Sequence, residues 1–222
     1  VFIGQYWRDP RLAWTREDYG NIGFIFATES DVWRPALIVA NSVDNLGIIQ
    51  DAYTPFRITS QGGIVWEPPG IYEVHCVADI SYYPFDEQEC HIVVSSWGYN
   101  LLEVNVTYTG SGINLDEFKT NGEWDLTEIK TLREDNVDSK GDQYGRVKFF
   151  FKLKRKSEYY WLNVLLPVII NSVLTALVFA LPAESGEKMG YSLTVLLSFA
   201  VLLTLIADKI PSTSINTSLI GK

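Results

Sequence analysis

Two carboxylates bracket an uncharged run near the end of the sequence, and the residues between them are sorted by type. Met189–Ala207 is nineteen residues without a charge, preceded by Glu187-Lys188 and followed by Asp208-Lys209. As a helix it is long enough to cross the hydrocarbon core of a bilayer. At about 100° per residue, Gly190, Thr194, Leu197, Val201, Thr204, Leu205 and Asp208 fall within an arc of roughly 100°. Glu187 lies near the same stripe, one turn earlier. Two chemistries fit. In a simple membrane anchor, the Ser and Thr bond back to their own helix. Several copies around an axis would instead stack these residues into rings. Carboxylates would attract cations at the mouths, hydroxyls would help a hydrated ion through, and Leu197 with Val201 would form an apolar constriction that closes by dewetting.

The remainder of the chain must support one of these. Of 222 residues, 47% are hydrophobic, and the mean hydropathy is +0.04. Residues 1–156 hold 23 of the 27 acidic and 15 of the 18 Lys and Arg residues, a net charge of −8. A soluble domain of this size buries its own core and is followed by a membrane segment. The acidic balance excludes a nucleic-acid partner, which wants a basic surface, and suits a surface that concentrates cations. Cys76 and Cys90, without a second Cys pair or a His cluster, point to one disulfide in an oxidising compartment and to no metal or cofactor. Asn105-Val106-Thr107 is a glycosylation sequon, which fits an extracellular domain. A second sequon at Asn216 lies close to the membrane segment. No nucleophile–base pair is visible, and His75 and His91 flank the cysteine loop as strand residues, so an enzyme is not expected. The chain opens on strand-like sequence without a leader and stops eleven residues after Pro211, so both ends of a longer protein are expected to be missing.

Short apolar or alternating runs at 1–7, 22–27, 36–40, 55–60, 63–67, 71–80, 91–97, 101–109, 125–131 and 147–153, separated by turn signals, predict a β-sandwich. The spacing then predicts a membrane helix over 159–181, with a kink at Pro167, and an antiparallel second helix over 187–210 after a tight connection. The expected fold class is therefore an all-β extracellular sandwich, 1–156, followed by transmembrane α-helices in 157–222. Lys154-Arg155-Lys156, just before the first helix, would place that end in the cytoplasm by the positive-inside rule. Long N-terminal domains translocate largely regardless of charge, so the disulfide outweighs it and the basic cluster needs another role.

Cys76 and Cys90 enclose thirteen residues with Tyr83-Pro84-Phe85-Asp86 near their middle. This loop resembles the signature of the Cys-loop pentameric ligand-gated ion channels. Trp33-Arg34-Pro35 with Asn41, Pro68-Pro69-Gly70, Ser96-Trp97, Asn121-Gly122-Glu123-Trp124-Asp125-Leu126 and Leu181-Pro182-Ala183-Glu184-Ser185-Gly186-Glu187-Lys188 are similar to nicotinic acetylcholine receptor subunits. The match runs from Val1 to Lys222, starting in the second strand of the family's sandwich and ending before its third membrane helix.

The resemblance implies a homo- or hetero-pentamer in the plasma membrane, in contact with lipid and permeant cations, with a small-molecule ligand, in the family pattern a cationic amine, bound between subunits. Trp97 and Tyr144 match cage residues of the principal face. Phe2, Val65 and Glu67 match the complementary face. Ala40 stands where the family has a ligand-contacting Tyr. The capping loop near Val137 lacks the first loop Tyr and the adjacent cysteine pair. Asp86 and Arg155 are expected to pair under the sandwich and couple ligand domain to membrane, with Phe85 and a cis Tyr83-Pro84 bond at the loop tip. In the second helix, Glu184, Glu187 and Asp208 match charged rings, Gly190, Thr194 and Leu205 line the stripe, and Leu197 with Val201 forms the gate. The absence of an inserted Pro-Ala-Arg motif is similar to cation-selective members. Phe2 is the one hint of an anion-selective alternative. A β-sandwich binding or adhesion module on a membrane anchor is the rival from another class, against which the striped helix and the cysteine loop argue.

Overall fold

The computed structural model describes residues 3–44, 47–110, 112–116, 118–180, 182 and 186–209. Eight strands among them form two four-stranded sheets. The first has the order β1-β5-β4-β2, from β1 (Gln5–Arg8), β2 (Phe24–Ala27), β4 (Phe56–Thr59) and β5 (Gly63–Trp66), with every neighbouring pair antiparallel. The second has the order β3-β6-β8-β7, from β3 (Leu37–Val39), β6 (Glu87–Ser96), β7 (Trp124–Val137) and β8 (Gln143–Arg155).

Alternation explains β4 and β5. Phe56 and Ile58 point inward while Arg57 is exposed, and Ile64 and Trp66 are buried on the neighbouring strand. Phe56 stacks on Trp66 at 5.2 Å between ring centroids, and Trp7 meets Phe56 edge-on at 6.0 Å. Val39, Ile49 and Val94 complete this core. The turn between β4 and β5 depends on Gly62. Its φ is +77°, and a Cβ there would sit 2.4 Å from the Asp9 carbonyl oxygen.

Two expected strands take other forms. Residues 71–80 alternate in burial like a strand, but among the described residues their β-pairing is an isolated bridge between Ser42 and Val74. Residues 101–109 open with a turn instead. The Asn100 side chain accepts hydrogen bonds from the backbone N–H groups of Leu102 (3.0 Å) and Glu103 (3.2 Å), and the Val104 N–H returns to the Asn100 carbonyl at 2.9 Å. A local side-chain acceptor here outcompetes the ladder. Conversely, β7 and β8 run longer than the patterns at 125–131 and 147–153.

The chain divides into two compact units. One comprises Val1–Cys76, His91–Leu115 and Lys130–Phe150 and holds the core just described. The other comprises Val77–Cys90, Asp116–Ile129 and Phe151–Lys222; it holds a smaller cluster of Ile80, Tyr83 and Tyr160, with Val164 packed against it, and both long helices. Both cysteines are disulfide-bonded.

The first long helix spans Glu158–Ala180 and the second Lys188–Lys209, each long and apolar enough to cross a membrane. Residues Trp161–Leu165 form a π-helical turn in which the Leu166 N–H reaches the Trp161 carbonyl. Pro167 follows one residue later. It has no N–H to give and its ring crowds the preceding turn, and a wider turn accommodates both.

Candidate functional site

Three groups of side chains carry the chemistry. The first lies at one end of the second sheet. Trp97 follows the last residue of β6 and is 55% exposed, its N–H bonded to the Ala36 carbonyl at 2.8 Å. Tyr144 is the second residue of β8, the strand beside β6. The Leu101 N–H donates to the Gln143 carbonyl at 2.7 Å, and Ser95 Oγ to the Gly145 carbonyl at 3.4 Å, so the turn carrying Trp97 and the strand carrying Tyr144 are tied together on both sides. Burial, then the carboxylates of Asp138, Asp142 and Glu103, push the Tyr144 hydroxyl above its ordinary pKa.

Val137 ends β7 and is 56% exposed. The turn after it is held by Asp138. Its Oδ1 accepts from the N–H groups of Lys140 (2.8 Å) and Asp142 (2.9 Å), while the Asp138 N–H donates to the Asp142 carbonyl at 2.9 Å. An aspartate thus shapes the hairpin tip where a cysteine pair was missing from the sequence. Ala40 is exposed and its N–H bonds the Val93 carbonyl at 2.7 Å. Its backbone is four residues further along than Ala36, the partner of Trp97, or about 13 Å of strand, so this short side chain does not reach Trp97. Val65 and Glu67 belong to the first sheet. Val65 is in register with Tyr6 and Arg57, and the exposed Glu67 carboxylate lies beside Gly4. Phe2 lies outside the described residues. Asn105 is exposed.

The second group is a buried ion pair. Arg155 Nε donates to Asp86 Oδ1 at 2.7 Å and a terminal nitrogen to Oδ2 at 3.0 Å, with side chains only 6% and 1% exposed. The third guanidinium nitrogen donates to the Tyr160 hydroxyl at 3.1 Å. The guanidinium carbon lies 4.1 Å from the Trp124 ring centroid, 5.1 Å from Tyr83 and 5.3 Å from Tyr160. Gln88 braces the carboxylate: its Nε2 donates to Asp86 Oδ2 and to the Asp79 carbonyl, and its Oε1 accepts from the Asp79 N–H at 2.8 Å. Desolvation lowers the Arg155 pKa, but the hydrogen bond to and the charge of Asp86, with Tyr160, outweigh it, so the net shift is upward and the cation is held. The Tyr83-Pro84 bond is cis, and Phe85 beside it is 59% exposed. The chain leaves this pair directly into the first long helix at Glu158.

The third group is the second long helix. Tyr191, Val195, Phe199, Leu202 and Ile206 are its partly or fully buried positions after the first residue, and they share one face. Gly190, Thr194, Leu197, Val201, Thr204, Leu205 and Asp208 form a separate stripe centred about 130° from that face and are all exposed, as is Glu187. Thr194 and Thr204 donate their hydroxyl hydrogens to the carbonyls of Tyr191 (2.7 Å) and Val201 (2.8 Å), which leaves the oxygen lone pairs free to accept. Glu184 lies outside the described residues.

Comparison with known proteins meets this geometry on both sides. The neurotransmitter-gated ion-channel ligand binding domain model matches residues 1–157, and the neurotransmitter-gated ion-channel transmembrane region model matches 164–222. The chain belongs to the neurotransmitter-gated ion-channel family. It is 33% identical over its whole length to the neuronal acetylcholine receptor subunit beta-2 of Gallus gallus, covering 45% of that protein. To the neuronal acetylcholine receptor subunit beta-4 of Homo sapiens it is 32% identical over its whole length, covering 44%. An acetylcholine receptor subunit alpha-like of Manduca sexta is 33% identical over 232 aligned residues, again with the whole chain covered and 45% of the relative. The chain thus spans under half the length of these relatives, which are receptor subunits and not enzymes.

In this neurotransmitter-gated ion-channel chain, sequence reasoning did not find Trp124, Tyr160 and Gln88 as partners of the ion pair. Trp124 stood out in the sequence only as part of the Asn121–Leu126 motif. A cluster signal was present in Tyr159-Tyr160-Trp161, aromatics at the head of a membrane helix, but it does not say which ring turns inward; Tyr160 is 5% exposed and Tyr159 56%.

Proposed function

We propose that the chain is the ligand-binding and first membrane portion of a subunit of a pentameric, ligand-gated, cation-selective channel in the plasma membrane. Residues 1–156 form the extracellular ligand domain, and 157–222 form the start of the membrane region. The observation that carries this reading is the second long helix. Its packed face and its Glu187–Asp208 stripe are separated by about 130° around the helix, and the stripe carries carboxylates near both ends with hydroxyls and branched apolar residues between. Five such stripes around an axis make a path with acidic mouths and an apolar constriction at Leu197 and Val201. Glu187 forms the selectivity ring, flanked by Glu184, with Asp208 at the outer mouth. Replacing Glu187 by Gln in the full-length protein should reduce the preference for cations over anions, read as a shift of reversal potential on ion substitution. An unchanged reversal potential refutes the assignment.

The ligand is a cationic amine held between subunits. Trp97 and Tyr144 form the principal face, and Val65, Glu67 and Phe2 the complementary face. The relatives' names refer to acetylcholine. The carboxylates near Tyr144 support a cation, while Ala40 and Val137 leave the cage more open than a small quaternary amine needs and support a bulkier one. The Asp86–Arg155 pair, seated where the ligand domain passes into the first helix, couples the two. Asn105 carries a glycan.

A further inference from the structure

The end of the first long helix contains an exception to its own hydrogen bonding. Val178–Ala180 tightens into a 3-10 turn, and the Val178 N–H bonds back to the carbonyls of Ala176 and Thr175 rather than to that of Leu174, four residues earlier. The Leu174 carbonyl therefore loses its helical partner. Inside a membrane no water replaces it, so an unpaired carbonyl is costly. Tyr191, in the first turn of the second long helix, supplies the missing donor: its hydroxyl lies 3.0 Å from the Leu174 oxygen. The Tyr191 backbone is itself the start of the helical ladder, its N–H bonded to the Glu187 carbonyl at 3.0 Å.

The position of Tyr191 on its helix matters as much as the bond. It begins the buried face continued by Val195, Phe199, Leu202 and Ile206, and Val195 is only 8% exposed. These neighbours are apolar and make contacts that tolerate sliding and rotation. The hydroxyl bond is directional. A rotation of the second helix by one residue, about 100°, carries the Tyr191 ring off the first helix and takes its hydroxyl away from the Leu174 carbonyl. The same rotation moves Leu197 and Val201 out of the exposed stripe. The other hydroxyls described on this helix, of Ser192, Thr194, Ser198 and Thr204, bond to their own backbone and hold no rotation.

We infer that Tyr191 is a positioning residue that pins the second long helix in rotation against the first, and so determines which residues face the exposed stripe. The pin stands on the two helices alone; its consequence for ion flow rests on the channel reading above. The test is thiol labelling in the full-length protein. Cys76 and Cys90 are disulfide-bonded, and cysteines introduced singly as L197C or V195C are read with a charged, membrane-impermeant thiol reagent after subtracting the labelling of the parent protein. In the parent background L197C is expected to label and V195C to be protected. Adding Y191F should shrink the difference in labelling rate between the two sites by about tenfold, as expected for loss of one net hydrogen bond. An undiminished difference overturns the pin. L197C that fails to label even in the parent background overturns the channel reading instead, because the stripe is then not water-lined. Where Y191F is not assembled in the membrane, an amide-to-ester replacement at Thr175 weakens the Leu174 carbonyl as an acceptor with Tyr191 intact. It should shrink the difference in the same direction, and no change there also overturns the pin.

Discussion

Replacing Asp86 by Asn tests the ion pair with almost no change of shape. The structure sets the magnitude. Both side chains are nearly inaccessible and share two hydrogen bonds of 2.7 and 3.0 Å. Removing one member of such a pair leaves a buried, uncompensated charge and costs about 3–5 kcal/mol. The guanidinium keeps the Tyr160 hydroxyl and the faces of Trp124 and Tyr83 in the variant as in the parent, so it is not left without partners and the low end of that range applies. A loss of about 3 kcal/mol is a fall of about 6–12 °C in melting temperature for a domain of this size. The assay is thermal unfolding of the full-length protein with its disulfide intact, run on D86N, R155M and the double variant D86L/R155M. The double variant exchanges the pair for apolar groups and should be less damaged than either single, since no buried charge remains. Gln88 still has the Asp79 backbone as a partner in that background. Single variants that melt within about 1 °C of the parent, or a double variant that loses the sum of the two, would refute the reasoning.

Two more outcomes follow from named contacts. Tyr83 is 2% exposed, and its hydroxyl has no hydrogen-bond partner among the described residues. Burial, then the neighbouring Tyr160, pushes its pKa up to about 12. The folded state therefore keeps this proton longer than the unfolded state does, so stability is intact below about pH 10 and falls as pH rises from there toward 12. Y83F should remove the Tyr83 share of that fall and be neutral or slightly stabilising at neutral pH; a marked loss of neutral-pH stability would show that the hydroxyl has a partner. For the capping hairpin, D138A removes the acceptor of the Lys140 and Asp142 N–H groups, so amide exchange at both should accelerate about tenfold. Unchanged exchange would mean the turn is held by its backbone alone.

The sequence by itself determined those features whose cause is local. Nineteen uncharged residues between charges make a membrane-length helix whatever surrounds them, and the 3.6-residue period sorts that helix into a stripe. Alternation around Phe56 and Ile58, and around Ile64 and Trp66, makes the paired strands β4 and β5 around a turn only Gly62 fits. The Asp86–Arg155 pair was legible through the resemblance of the cysteine loop and not through any pattern, since 69 positions separate the two residues. Tertiary structure decided what depends on distant partners. Residues 71–80 have strand alternation, but a ladder needs a neighbour along their length and they have one isolated bridge. Residues 101–109 have strand composition, but Asn100 captures the first turn. Trp124 and Tyr160 are ordinary aromatics until a guanidinium lies between them, and Tyr191 is an ordinary membrane tyrosine until a carbonyl on another helix loses its partner. Composition and period report how a residue suits its own element. A buried charge or an orphaned carbonyl is a demand made in three dimensions, and only the folded chain shows which side chain meets it.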